Sequence, residues 1–370
     1  MSSEVNIPRV TYGLIAVAAA VVIILGLRTA SNIIAPMLMA VVLAIIISPV
    51  LNWLMKRGLP GWLALIVTLG LFVLILLLLV GIIALSLRGF TGALPGYQER
   101  LTELRDSLDS TLSGFGIDLQ AVVEEADLSP SRLLTAAGGF AQSLLSGIAN
   151  WGVILLAGVF FLTYARTLPR MLSQLAGEEA AIVRRITRFG QDVRRFMVIT
   201  AYVGFLTAAV NVPLLLLIGV DFALLWGVLS FLLNFVPNIG FLLSVIPPAL
   251  LALIELGIPQ ALIVVVGFVL INGFFENIVK PRFIEQDLDI APAVSFVSLI
   301  LWTWVFGALG AIIAIPMTML VQLLLESSEE TRWLGYLLGT GSTPFHPEPP
   351  AETEPPAPLL PTDEPPASAG

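Results

Sequence analysis

The chain has 370 residues, 57% of them hydrophobic and only 12% charged, with a mean hydropathy of +0.96. Soluble domains carry about 25% charged residues, so this is the composition of an integral membrane protein. There is no cysteine, which excludes disulfides, thiol chemistry and zinc–thiolate sites.

The formal net charge of −8 owes five units to Glu348, Glu352, Glu354, Asp363 and Glu364 in the tail. The acidity is therefore largely a tail property and gives no reading toward nucleic acid. The single histidine, His346, lies in the same tail. The sequence offers no glycine-rich phosphate loop, nucleophile elbow or metal-spaced cluster. Neither an enzyme nor a cofactor is expected.

Residues 10–27 form the first predicted span. More apolar runs follow at once, so it reads as a retained helix rather than a cleaved leader. Residues 31–51 form the second, with Pro36 and Pro49 near its ends. Lys56 and Arg57 follow in a short turn. Residues 62–87 form a third span, long enough to tilt.

The stretch 88–146 is polar and net negative. Tyr97, Leu101, Leu104, Leu108 and Leu112 recur at heptad-like spacing, which predicts an amphipathic helix folded on its own domain or forming a seam between subunits. Residues 147–165 form a fourth span. The basic stretch 166–196 follows, with Arg184, Arg185, Arg188, Arg194 and Arg195 beside an apolar stripe of Ile182, Ile186, Phe189, Val193 and Phe196. Such a segment lies on anionic lipid at the cytoplasmic leaflet, or packs its stripe on a neighbouring helix.

Residues 197–219 form a fifth span. The run 222–254 carries no charge and would make a helix about 50 Å long, against a bilayer core of about 30 Å. In its middle stand Asn234, Pro237, Asn238 and Gly240. Proline removes a backbone donor, and its neighbours favour a turn, so the helix should break inside the membrane. A further span covers 258–278. A second long run, 291–325, has its own break at Gly307 and Gly310, followed by Pro316.

The fold class expected is an all-α polytopic membrane protein. It has about six to eight transmembrane helices with two broken or re-entrant helical hairpins, 222–254 and 291–325. The units are three N-terminal spans over 1–87, an extracytoplasmic segment over 88–146, a transport core over 147–335, and a tail over 340–370. The tail holds ten prolines among acidic and small residues and should be disordered. Lysine and arginine in short loops mark the cytoplasmic side, which puts both termini there and 88–146 outside. If 222–254 dips in and returns, Lys280 and Arg282 also lie inside; the dip is the favoured arrangement.

Few residues within the apolar runs are chemically capable. Asn234 and Asn238 flank Pro237, where they either cap two half-helices or bind a polar solute or cation. Asn272, Glu276 and Lys280 are spaced i, i+4, i+8, so a continuous helix would put them on one face, with Asn277 adjacent. Glu276 and Lys280 form a structural ion pair, or Glu276 titrates on an ion path. Asp221 begins the broken run and Glu255 ends it. The expected substrate or ion pathway comprises Asn234, Pro237, Asn238, Gly240, Asn272, Glu276, Asn277 and Lys280.

The ordered set Asn-Phe-Val-Pro-Asn-Ile-Gly at 234–240, Ile-Pro-Pro at 246–248, Glu276-Asn277 with Lys280-Pro281-Arg282, Pro292, and Trp302 through Pro316 closely resembles the AI-2E (autoinducer-2 exporter) family, also described as PerM-like permeases. The resemblance covers roughly residues 10–335 and is strongest over 198–325. It implies an oligomeric permease of the bacterial inner membrane. Some members are associated with export of autoinducer-2, others with sodium/proton antiport. Where the family often carries a small residue before a basic or polar one, this chain has Glu285, Gln286, Asp287 and Asp289. The expected function is export of a small polar solute such as autoinducer-2. The alternatives are a sodium/proton antiporter using Glu276, and a membrane scaffold whose tail recruits partners.

Overall fold

The computed structural model of the chain describes residues 9–113, 151–164, 171, 174, 181–284, 290–328 and 330–340. The predicted segment beyond 113, the basic residues over 165–170, the acidic stretch 285–289 and the tail from 341 lie outside the described residues. Among the described residues every regular element is helical. They are α1 Arg9–Thr29, α2 Ser31–Lys56, α3 Gly61–Ser113, α4 Trp151–Tyr164, α5 Ala181–Ile218, α6 Ala223–Leu233, α7 Gly240–Leu256 and α8 Ile258–Phe274. A π-turn Phe275–Val279, α9 Lys280–Ile284, α10 Pro292–Ile312, α11 Ala314–Glu326 and α12 Arg332–Leu338 complete them. Five helices are long and apolar enough to cross a membrane: 31–56, 61–93, 183–218, 258–283 and 292–312. Their outer faces carry exposed leucines, such as Leu217 at 87%, which a bilayer covers and water would not. The chain is an all-α polytopic membrane protein.

α3 continues as one helix past the predicted end at Leu87 to Ser113. α4 packs on α2, where Leu51, Ala64 and Leu162 close a small buried cluster.

The two long apolar runs each fold into a helical hairpin. In the first, α6 and α7 are the arms and 234–239 the turn. Its two ends meet: the backbone N–H of Asp221 lies 3.4 Å from a carboxyl oxygen of Glu255. The run therefore enters and returns on one side. In the second hairpin, α10 and α11 are the arms. Gly307 sits at φ 65, ψ −146, a region closed to residues with a Cβ, and breaks the helix there. The Trp302 indole N–H donates to the Thr318 hydroxyl across the arms at 3.2 Å. Pro316, expected at the break, instead lies in the first turn of α11, where no intrahelical donor is missed.

One close approach recurs in both turns. A methyl group on Gly240 would strike the carbonyl of Leu233, and one on Gly310 would strike that of Trp302.

α5 serves as a ruler for how the hairpins sit. At its N-terminal end Arg185 donates to the carbonyl of Glu326, which closes the second hairpin. Further along, Arg195 donates to the carbonyl of Phe283, just past α8. Thr200 meets Asn234 in the first hairpin's turn, and Asn211 meets Ser230 in its first arm. Beyond Ile218 lie Asp221 and Glu255. The hairpins therefore enter from opposite ends of α5. From Thr200 to Ile218 is about 27 Å of helix, so the first hairpin reaches most of the depth of a bilayer core. Its turn residues Phe235, Val236 and Ile239 pack on the core that holds Phe306, Ile313 and Ala314 of the second.

Candidate functional site

Breaking a helix in hydrocarbon strands its terminal N–H and carbonyl groups, each costing several kcal/mol unless a partner is found. At the first break the chain supplies some partners itself. The N–H groups of Val236 and Gly240 bond to the carbonyls of Leu233 and Val236. Asn234 caps α6 and donates its side-chain amide to the Thr200 carbonyl on α5 at 2.9 Å. That contact is possible because Gly204 leaves room: the Asn234 side chain lies 3.0 Å from where a Cβ at 204 would be. Pro237 is half-buried, and Asn238 is exposed at φ 63, a left-handed conformation that asparagine tolerates better than most residues. Pro247 and Pro248 interrupt α7 and leave the carbonyls of Leu243 and Ser244 without their usual helical donors.

The face of α5 turned to this hairpin carries a polar line that the sequence reading missed. Thr200, Thr207 and Asn211 are buried at 1%, 1% and 0% exposure. Asn211 donates its amide to the Ser230 hydroxyl at 3.1 Å. The hydroxyl oxygens of Thr200 and Thr207 and the amide oxygen of Asn211 have no hydrogen-bond partner. Buried polar atoms are nearly always paired, so three unpaired oxygens on one helix face call for an explanation. The signal was available: spacings of seven and four put these residues on one face of an otherwise apolar helix.

The second predicted group resolves differently. Asn272 is buried and donates to the Phe268 carbonyl of its own helix at 3.1 Å. Glu276 and Lys280 form an ion pair at 2.7 Å with side chains 35% and 20% exposed. Asn277 is exposed and donates back to the Gly273 carbonyl at 3.0 Å. The helix widens into the π-turn at this point, and the N–H of Lys280 bonds to the Phe275 carbonyl. That inserts a residue between Asn272 and Lys280, so the even ladder expected on one helix face is not kept. Asn272 and Glu276 are thus engaged within their own segment, whereas Asn234 is engaged with α5.

The basic stretch is divided as well. Val193 is fully buried, and Phe189 and Phe196 pack on the same core. The apolar stripe therefore faces protein.

A third polar group, whose parts the sequence reading noted without a role, closes the first hairpin's root. The Tyr97 hydroxyl donates to a carboxyl oxygen of Asp221 at 3.2 Å. It also lies against Glu255, whose carboxyl reaches Asp221. Burial pushes the Tyr97 phenol well above its ordinary value, and the two carboxyl groups push it further. Burial likewise raises Glu255, and Asp221 beside it adds to the rise while the Tyr97 hydroxyl works against it. Among the described residues, no group of three or more His, Asp or Glu side chains is placed to hold a metal ion.

Comparison with known proteins covers nearly the whole chain. The family model for AI-2E family transporters matches residues 14–330. The AI-2 transport protein TqsA of Escherichia coli is 29% identical over 318 residues, covering 86% of this chain and 92% of that protein. A proposed transport protein of Haemophilus influenzae is 31% identical over 345 residues, covering 92% and 98%. YhhT of Escherichia coli, also a proposed transport protein, is 27% identical over 328 residues, covering 89% and 94%.

Proposed function

The chain belongs to the AI-2E transporter family, and from that membership we propose that it exports a small polar solute such as autoinducer-2 along the contact between the first hairpin and α5. The observation that carries this reading is the pairing of a broken helix with an under-satisfied polar face. The turn at 234–239 offers Asn238 and one face of Asn234. Along α5 stand the three unpaired oxygens of Thr200, beside the turn, and of Thr207 and Asn211, beside the first arm. A hydroxylated solute brings the donors these acceptors lack. Broken helices of this kind are where secondary transporters bind their substrates.

In this reading the protein sits in the bacterial inner membrane with both termini cytoplasmic. The basic face of α5, with Arg184, Arg185, Arg188, Arg194 and Arg195, lies by anionic lipid headgroups. The protein acts as a homo-oligomer driven by a proton or sodium gradient.

The test is solute uptake by proteoliposomes holding the purified protein, assayed with autoinducer-2 under imposed gradients. Gradient-dependent uptake is expected, and replacing Asn234 and Asn238 together by leucine should abolish it while the protein still inserts. Normal flux through a correctly folded double variant would overturn the assignment of the pathway.

A further inference from the structure

The root of the first hairpin is built unlike its turn. Three polar side chains from distant parts of the chain converge there: Tyr97 of α3, Asp221 ahead of α6 and Glu255 in the last turn of α7. They are set in an aromatic knot. Phe90 packs against Tyr97, Phe222 and Trp226 at ring separations of 6.1, 5.8 and 6.1 Å. The Trp226 indole N–H donates to the backbone carbonyl of Asp221 at 3.0 Å. Tyr97 is only 4% exposed, whereas Asp221 is exposed, so water reaches one edge of the group and apolar rings close the other.

Phe222, the residue that joins Asp221 to α6, stands at φ 58, ψ 33. A bulky side chain in the left-handed region is strained and persists only where neighbours hold it. The holders are visible. Asp221 is fixed by Tyr97, Glu255 and Trp226, and the Phe222 ring is fixed by Phe90. The junction is thus a strained link kept in place by contacts to two carboxyl groups.

We propose that Glu255 holds a proton against Asp221, and that with Tyr97 they form a clasp that closes the root of the first hairpin while Glu255 is protonated and releases it when Glu255 ionises. An ionised Glu255 beside the Asp221 carboxyl at the edge of an apolar cluster is repelled strongly, and a proton on Glu255 converts that repulsion into a hydrogen bond. The upward displacement of Glu255 has the sign this requires. Among the described residues, no cation opposes it. α5 between Arg195 and Asp221, all of α6 and α7 apart from Glu255, and α8 up to Glu276 carry no charged side chain. On α3, Glu99, Arg88 and Arg100 are exposed, and none contributes to the displacement of Tyr97 or Glu255. Gln260 on α8 is neutral. Release lets Phe222 relax and frees α6 and α7 to part at their roots. The clasp does not rest on the identity of the transported solute.

The cysteine-free chain suits a direct test. Leu224 and Ile258 flank the clasp on α6 and α8 and are 55% and 50% exposed. Cysteines placed there and spin-labelled report the root opening by pulsed electron resonance in nanodiscs, titrated from acid to alkaline pH. We expect a short, narrow distance in acid and a longer, broader one in alkali. Asp221→Asn with Glu255→Gln keeps a hydrogen-bonded pair that cannot titrate, and should hold the short distance throughout. Tyr97→Phe removes the donor that favours the ionised pair and should move the midpoint to higher pH. An unchanging distance in the parent would overturn the clasp, as would a pH response surviving in the amide variant. Neither readout involves solute, so failure of the clasp and failure of the transport assignment are separately visible.

Discussion

Gly240→Ala tests the architecture with the smallest available change. Gly240 is buried at the start of α7, where an added methyl would meet the Leu233 carbonyl at the end of α6. The obstacle is backbone, so no rotamer change relieves it, and the turn itself must open. Overpacking of a tight site costs about 1–3 kcal/mol, and a backbone obstacle belongs at the upper end of that range. That corresponds to a fall in the folding constant of roughly five- to 150-fold. Gly310→Ala should behave alike, because its methyl would meet the Trp302 carbonyl in the second hairpin.

The control is Gly81→Ala in α3, where nothing lies within 4 Å of the new methyl. Alanine there should stabilise by about 0.5–1 kcal/mol through helix propensity alone. The assay is reversible unfolding in mixed micelles by titration with sodium dodecyl sulfate. Stability should fall for Gly240→Ala and Gly310→Ala and hold or rise for Gly81→Ala. If Gly240→Ala unfolded at the parent's midpoint, the claim that the hairpin doubles back on this glycine would be refuted.

Thr207→Val removes a buried hydroxyl that has no partner, so stability should be unchanged or rise by about 1 kcal/mol while solute flux falls. A fall in both would make the hydroxyl structural. Glu276→Gln breaks an ion pair whose members are 35% and 20% exposed, worth at most about 1 kcal/mol. Unfolding should barely change and flux should persist; loss of proton- or sodium-driven exchange would put Glu276 back on the pathway. Glu255 is raised above its ordinary value of 4.5, so its contribution to stability is full below that value and is lost as pH rises through the raised one. The parent should therefore lose stability relative to the Asp221→Asn, Glu255→Gln variant as pH rises, and parallel pH profiles would contradict this.

The hairpins were legible because their cause is local. Pro237 between two asparagines, in a charge-free run too long for one span, forces a break whatever surrounds it. The turn at Gly307 was legible for the same reason. The contribution of Gly240 was not, since it depends on where the Leu233 carbonyl ends up. The polar line of Thr200, Thr207 and Asn211 had the right spacing, but a hydroxyl or amide in a helix ordinarily bonds a carbonyl of its own preceding turn, so spacing alone does not mark an unpaired atom. The even spacing of Asn272, Glu276 and Lys280 assumed a helix that the π-turn interrupts. Tyr97 and Asp221 are 124 residues apart, and Asp221 and Glu255 are 34 apart, so only the fold brings them together.

The turn and the root of the first hairpin meet different physical demands, which is why their residues differ. At the turn, apolar protein packed around Phe235, Val236 and Ile239 makes any fixed charge expensive, and neutral amides, hydroxyls and carbonyls are what the site can hold. Neutral acceptors left unpaired by the protein suit a ligand that brings donors and can leave again. At the root, water reaches Asp221, so ionisable groups are tolerable and a proton can come and go. A strained Phe222 between the two makes the closed root cheap to release once the carboxyl pair repels. In the proposals above, binding and opening fall to separate residues: Thr200, Thr207 and Asn211 lie about 27, 17 and 11 Å from the Ile218 end of α5. Changes at Thr207 or Asn211 should alter what is carried and leave the pH response of the root alone. Changes at Asp221 or Glu255 should alter when the root opens and leave solute preference alone.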